Sequence, residues 1–248
     1  MNELRTEHLI FPDWPAPARV RAASTTRHGG ISPPPYGSLN LADHVGDDPA
    51  CVAANRRRLA AAAGYLAEPA WLQQVHGKRV VAAETVREPV EADAAWTREL
   101  GRPCVVMTAD CLPVLLCDRA GTVVAAAHVG WRGLADGVIA ATVARMDTPP
   151  TELLAWLGPA IGPDAFEVGE EVRAAFLELD AGNAACFRPS PAGRWLADLY
   201  DLARRQLRGL GVSAVYGGGF CTFDESERFF SYRRENCTGR MATLIWLA

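Results

Sequence analysis

The chain has 248 residues, 49% of them hydrophobic, enough to bury a full core as one unit (1–248), and no Pro/Gly/Ser-rich linker divides it. Its 25 Lys and Arg against 29 Asp and Glu give a formal net charge of -4, which excludes the basic field of a dedicated nucleic-acid binder. No apolar run reaches the ~20 residues of a membrane helix and the N-terminus lacks a signal-peptide pattern, so a cytoplasmic protein off the membrane is expected; an odd count of 7 cysteines fits free thiols in a reducing compartment.

Residues 20–26 predict a strand of small and β-branched side chains that runs into Arg27, His28, Gly29 and Gly30 and then three prolines. That loop offers donors beside glycines that permit close backbone approach. Asp48 before Pro49 starts a helix that Gly64 ends, with Arg56, Arg57 and Arg58 on its wet face. Residues 71–76 form a short strand closing on His76, and residues 79–83 come back from it. Residues 104–107 make an apolar strand running into Thr108, Ala109, Asp110 and Cys111. A second apolar run, a turn at 118–121 and a strand over 122–127 then end on His128. Leu134, Val138 and Ala141 place one helix behind Trp131 and Arg132.

The second half reads as scaffold. Residues 153–157 form a strand, and two amphipathic helices follow, one carrying Val168, Val172, Phe176 and Leu179, the other Leu199, Ala203, Leu207 and Leu210. A strand over 213–216 leads to three glycines, and residues 229–234 and 240–247 close the chain as a β-hairpin. The expected fold is α/β (α+β layered): a mixed β-sheet core covered by helices, with no segment that specifies an oligomeric state.

Of the 5 histidines, only His76 and His128 close apolar strands, and Cys111 alone among the cysteines follows an acid at a strand end. Three nitrogen and sulfur donors without a fourth suit zinc with an open position. Such a metal lowers the pKa of a bound water toward about 7 or polarises a substrate oxygen. Asp110, beside the thiol, is the candidate proton shuttle. Two other readings use the same residues. A single copper could take both histidines, Cys111 and a weak Met107, as in a polyphenol oxidase. Alternatively Cys111 is a nucleophile and His128 its base, as in a cysteine hydrolase.

The strings STTRHGG, LNLADHVGDD, QQVHG, TADCLPVLL, AAAHVGWRG, LGPAIG, FFSYRR and TGRMATLIWL resemble those of the YfiH-like family, also labelled polyphenol oxidase or laccase-domain proteins, nearly end to end. The resemblance implies zinc held by His76, Cys111 and His128. It also implies an enzyme that cleaves adenosine, inosine, guanosine or methylthioadenosine with phosphate to base and sugar 1-phosphate, and that deaminates adenosine. The implied partners are small molecules, a purine nucleoside and phosphate. Arg27, Arg132 and Arg240 are the candidates for a phosphate clamp, with Asn40 and Gln74 as hydrogen-bonding partners for sugar or base. Editing of cell-wall precursors, suggested for some bacterial relatives, is the alternative within the resemblance.

Overall fold

A strand covered on both faces needs a continuous apolar run, and Cys104–Thr108 and Leu112–Asp118 are buried at every residue. They belong to a mixed α/β architecture, which the computed structural model describes over residues 4–191 and 193–248. In chain order the first strands are β1 (Leu9–Ile10), β2 (Val20–Thr25), β3 (Leu72–Gln73), β4 (Val80–Ala82) and β5 (Val90–Glu91). The central ones follow as β6 (Ala94–Thr97), β7 (Cys104–Thr108), β8 (Leu112–Asp118), β9 (Val124–Val129) and β10 (Leu153–Leu157). The last are β11 (Glu167–Val168), β12 (Phe187–Pro189), β13 (Trp195–Ala197), β14 (Ala214–Gly217) and β15 (Met241–Leu247). The helices are α1 (Pro49–Ala63), α2 (Trp131–Asp136), α3 (Val138–Met146), α4 (Glu170–Leu179) and α5 (Leu199–Gly209).

A six-stranded mixed sheet has the order β14-β10-β8-β9-β6-β4, and a four-stranded one the order β1-β2-β15-β7. Side chains alternate across a strand, so each strand serves two cores. Leu112, Val114 and Leu116 of β8 pack with Ile139, Phe176 and Leu202 of the helices. Leu115 and Cys117 of β8 point the other way, onto Cys104 and Val106 of β7 and Ile245 and Leu247 of β15. The outer residues of the second sheet, Val105, Met107, Leu244 and Trp246, are covered by Leu59 of α1 and by Leu39 and Leu41. The layer order is therefore helices, sheet, sheet, helix. Each fully buried Leu or Ile in these layers contributes about 1.5–3 kcal/mol. α1 is delimited as its sequence implies: the Asp48 carboxylate accepts from Ala50 N–H, Pro49 opens the helix and Gly64 closes it at φ 79°.

Several local expectations change. The closing hairpin is absent: β15 pairs with β2 and β7, while residues 229–231 are irregular and 232–234 form a turn. Phe229 and Phe230 are neighbours and both fully buried, which strand alternation on a one-sided hairpin forbids. Residues 71–76 and 79–83 do not pair either, since β3 runs parallel to β5 and β4 parallel to β6. The helix behind Trp131 is two helices, because Gly137 turns left-handed at φ 95° and caps the carbonyls of Gly133 and Leu134. Val168 lies in β11, ahead of α4. No helix among the described residues is long and apolar enough to cross a membrane.

Candidate metal centre

The register of β8 and β9 builds the site. Leu112 pairs with Val129 and Pro113 with His128, so Cys111 and His128 meet at the same end of adjacent strands. β9 extends to Val129, so His128 is the penultimate strand residue and is buried, 3% exposed. His76 arrives from the turn between β3 and β4 with φ 61°, a left-handed backbone rather than a strand end. Its ring crosses that of His128 edge-on, with centroids 4.8 Å apart. Cys111 Sγ lies 3.7 Å from His76 Nε2, and the ligating atoms of His76, Cys111 and His128 all lie within 4.8 Å of one another.

This donor set fits zinc. Bonds of about 2.3 Å to sulfur and about 2.05 Å to nitrogen at a tetrahedral angle put the two donors about 3.6 Å apart. Glycines make the approach possible. A Cβ on Gly130 would sit 2.6 Å from His76 Cδ2 and 3.1 Å from Cys111 Sγ, and one on Gly133 would sit 2.9 Å from the Gly77 carbonyl oxygen. The spacing of Gly130 and Gly133 around Trp131 and Arg132 thus serves to bring α2 down onto the ligands.

Asp93, just before β6, escaped the sequence reading. It is fully buried, and Oδ1 accepts from His128 Nδ1 at 2.8 Å and from His76 N–H at 2.9 Å. Oδ2 accepts from Gly77 N–H at 2.7 Å and from Val75 N–H at 3.3 Å. Burial pushes the Asp93 carboxyl up, but the hydrogen bond and charge of His128 and the loop amides outweigh it and hold the group below its ordinary value. No local motif marks it, because every partner of its side chain lies 16 to 35 residues away.

The three donors line a cavity of about 550 Å³ that also takes in Trp131, Phe166, Tyr232, Arg132 and Arg240. Arg132 lies over the Trp131 ring at 4.4 Å, and Arg240 is 5.6 Å from the Tyr232 ring. Burial draws the Arg240 guanidinium below its usual value, against the pull of Cys111 and Asp110. Gln74 also lines the cavity, with its amide bonded to both Met107 N–H and Met107 carbonyl at 2.7 Å. It thereby extends β7 as a strand neighbour would. His44, left in a loop by the sequence, sits at the same cavity wall.

Two of the expected contact residues do not line the cavity. Arg27 donates to the Gly37 carbonyl at 3.1 Å and the Ser226 carbonyl at 2.9 Å and stacks on Phe230. Asn40 is fully buried; its Nδ2 donates to the Ala42 carbonyl and to Asp47 Oδ2, and its Oδ1 accepts from Arg240 N–H at 3.0 Å. Asn40 therefore positions the backbone of Arg240 rather than facing the cavity. Asp110 lines the cavity at φ 90°, with Oδ1 accepting from the Thr222 hydroxyl and Oδ2 from Arg233 N–H, both at 2.6 Å. It anchors the loop that carries Tyr232.

The family described as multi-copper polyphenol oxidoreductase laccase matches residues 21–248. The chain belongs to this family. A relative from Pseudomonas aeruginosa named purine nucleoside phosphorylase is 58% identical over 239 residues, 96% of this chain and 98% of the relative. The purine nucleoside phosphorylase YfiH of Escherichia coli is 54% identical over 242 residues, with the same coverage. Among solved structures, a Neisseria meningitidis protein matches with TM-score 0.94 at 51% identity, covering 97% of this chain and 99% of its own. YlmD of Geobacillus stearothermophilus matches at 0.91 and 31% identity, covering 99% and 98%.

The family's multi-copper description asks for several clustered histidine sites. Among the described residues of this laccase-like chain, His76, Cys111 and His128 are the one such group. Met107 lines the cavity too, but it packs in the core with Val105 and Trp246. The thiols also separate the site from the scaffold. Burial pushes Cys117 up to about 12. At Cys111 burial pushes the same way, but the charge and hydrogen bond of His128 and the hydrogen bond of His76 prevail and bring it down to about 6. His128 mirrors this: burial lowers it, yet Cys111 and Asp93 raise it to about 9. Each member of the pair thus favours the charged form of the other.

Proposed function

We propose that this chain is a zinc-dependent purine nucleoside phosphorylase, cleaving adenosine, inosine, guanosine or methylthioadenosine with phosphate to free base and sugar 1-phosphate, and that the same centre deaminates adenosine. The observation that carries the reading is the convergence of His76, Cys111 and His128 on a cavity lined by Arg132 and Arg240, in a chain whose close relatives are named purine nucleoside phosphorylases. Zinc is the metal of this reading because imidazole and thiolate are both zinc donors and three protein ligands leave an open position; held by His76, Cys111 and His128 it would supply a Lewis acid there.

The protein's own groups do the rest. Arg132 and Arg240 bind the phosphate dianion and hold one oxygen against the anomeric carbon. The rings of Trp131, Phe166 and Tyr232 take the flat base and exclude water. As the phosphate oxygen forms its bond to the anomeric carbon, the bond to the purine nitrogen breaks and the base takes up a proton, so one proton passes overall from hydrogen phosphate to purine. Asp110, which lines the cavity beside Cys111, is the proton carrier of this reading. For deamination of adenosine, a water in the same cavity would form its bond to C6 of the purine as the C6–N bond breaks, the amino group leaving as ammonia with a proton carried by Asp110.

The test is elemental analysis paired with turnover of inosine and adenosine, with and without phosphate, for wild type and His128→Ala. About one zinc per chain, lost with the histidine, and base release that needs phosphate are expected. Zinc without nucleoside turnover would sink the substrate assignment. Oxygen uptake on phenols by copper-loaded protein alone would favour the oxidase, and full turnover in chelator-treated protein would favour Cys111 as nucleophile.

A further inference from the structure

We propose that Asp93 is the positioning residue of the metal centre, a single buried carboxylate that holds both histidine ligands at once and thereby sets how tightly the centre takes a divalent cation. An ionised carboxylate only accepts hydrogen bonds. His128 must therefore present Nδ1 as its N–H, at 2.8 Å from Asp93 Oδ1, which leaves the Nε2 lone pair free for the metal. The same Oδ1 accepts from His76 N–H, and Oδ2 accepts from Gly77 N–H and Val75 N–H on either side. Three consecutive amides of the His76 turn are thus drawn onto the acid that orients the other histidine. The His76 backbone is left-handed at φ 61°, a conformation a non-glycine residue keeps only where its surroundings impose it. The Asp93 main chain adds to the coupling, since its carbonyl accepts from His128 N–H at 2.7 Å. The carboxylate thus couples the imidazole of His128 to the backbone of the turn that carries His76.

Asp93→Asn keeps the volume and breaks the pattern in either orientation. With the amide oxygen in the Oδ1 place, the NH2 meets the Gly77 and Val75 N–H groups, donor against donor, and the His76 turn is released. With the amide reversed, the NH2 meets His76 N–H, and His128 has to accept at Nδ1, which puts its proton on Nε2 and closes that nitrogen to the metal. A purely structural acid offers the contrast. Asp118, also buried, accepts from Thr122 N–H, the Thr122 hydroxyl and Val123 N–H in the β8–β9 turn, away from the ligands.

The experiment is zinc affinity by chelator competition for wild type, Asp93→Asn and Asp118→Asn, each first shown to be folded by near-UV circular dichroism and a cooperative thermal transition. Asp93→Asn is expected to bind zinc about 10- to 100-fold more weakly, and its cobalt(II) form to lose the intense visible bands of a tetrahedral thiolate site. Asp118→Asn is expected to bind zinc as wild type does. Equal zinc affinity in folded Asp93→Asn would overturn the inference. Should that variant fail to fold, nitrogen-15 spectra of the histidines in zinc-loaded wild type decide: a protonated Nδ1 and metal-bound Nε2 on His128 support it, and zinc on Nδ1 overturns it. The inference rests on the metal reading of the three ligands. Wild type that binds no zinc would overturn both, whereas wild-type affinity in Asp93→Asn would overturn this one alone.

Discussion

The two ends of the β8–β9 hairpin are built alike and used differently. At one end a buried acid, Asp118, accepts from residues four and five positions ahead and closes a tight turn. At the other, a buried acid, Asp93, accepts from residues 16 to 35 positions away and gathers two histidines beside a cysteine. The closed end is local and stabilises the sheet. The open end is assembled from distant segments, and its hydrogen bonds fix side chains that face a cavity. Burial of a carboxylate therefore does not mark function by itself; what its partners then hold does.

The sharpest way to break that comparison is to remove a ligand at the open end. Cys111→Ala or His128→Ala should lose zinc affinity by more than the about 100-fold typical of a supporting residue, and abolish nucleoside turnover, while thermal unfolding stays cooperative. Retained zinc would show that the centre is elsewhere.

A step smaller is the clamp. Arg132→Ala or Arg240→Ala removes one charge-assisted contact worth about 1.5–3 kcal/mol, so the KM for phosphate should rise about 10- to 100-fold with zinc content unchanged. Arg27→Ala, whose guanidinium is tied to Gly37 and Ser226, should leave that KM alone and lower stability instead. A phosphate effect at Arg27 equal to that at Arg240 would redraw the site.

The thiols give the next contrast. In zinc-stripped protein Cys111, held at about 6, should alkylate readily at pH 7 and about ten-fold more slowly at pH 5, because the reactive thiolate is lost as pH falls through its pKa. Cys117, held at about 12 in the core, should not react until the protein unfolds, and zinc should protect Cys111. Peptide mapping after iodoacetamide checks both.

The smallest expected effect is at the closed end. Asp118→Asn should cost about 1–3 kcal/mol of stability, read as a lowered thermal midpoint, with wild-type kinetics.

What the sequence made legible follows the same division. β7, β8 and β9 could be read because each is a continuous apolar run, and the Asp118–Gly121 turn because Gly121 supplies a left-handed residue at φ 67°. The three candidate donors, which the structure brings within 4.8 Å of one another, stood out as residue types at segment ends, although His76 lies in a turn. Asp93 was not, since an acid in Glu91-Ala92-Asp93-Ala94 looks like any exposed one until His128 and the His76 turn fold onto it. Asn40, a candidate partner for sugar or base, has its amide engaged with Ala42, Asp47 and the Arg240 backbone, partners that its residue type alone does not announce. The closing hairpin failed because Phe229 and Phe230 both plug the core below the cavity wall, a demand of tertiary packing that no local pattern carries.

The most direct test is base release from inosine by one preparation in three states: zinc-loaded, chelator-stripped and zinc-restored, each with and without phosphate. Hypoxanthine and ribose 1-phosphate should form one to one, only with zinc and phosphate together, and return on restoration. Release that is indifferent to zinc, or none from the zinc-loaded protein, would contradict a metal-dependent phosphorylase built on His76, Cys111 and His128.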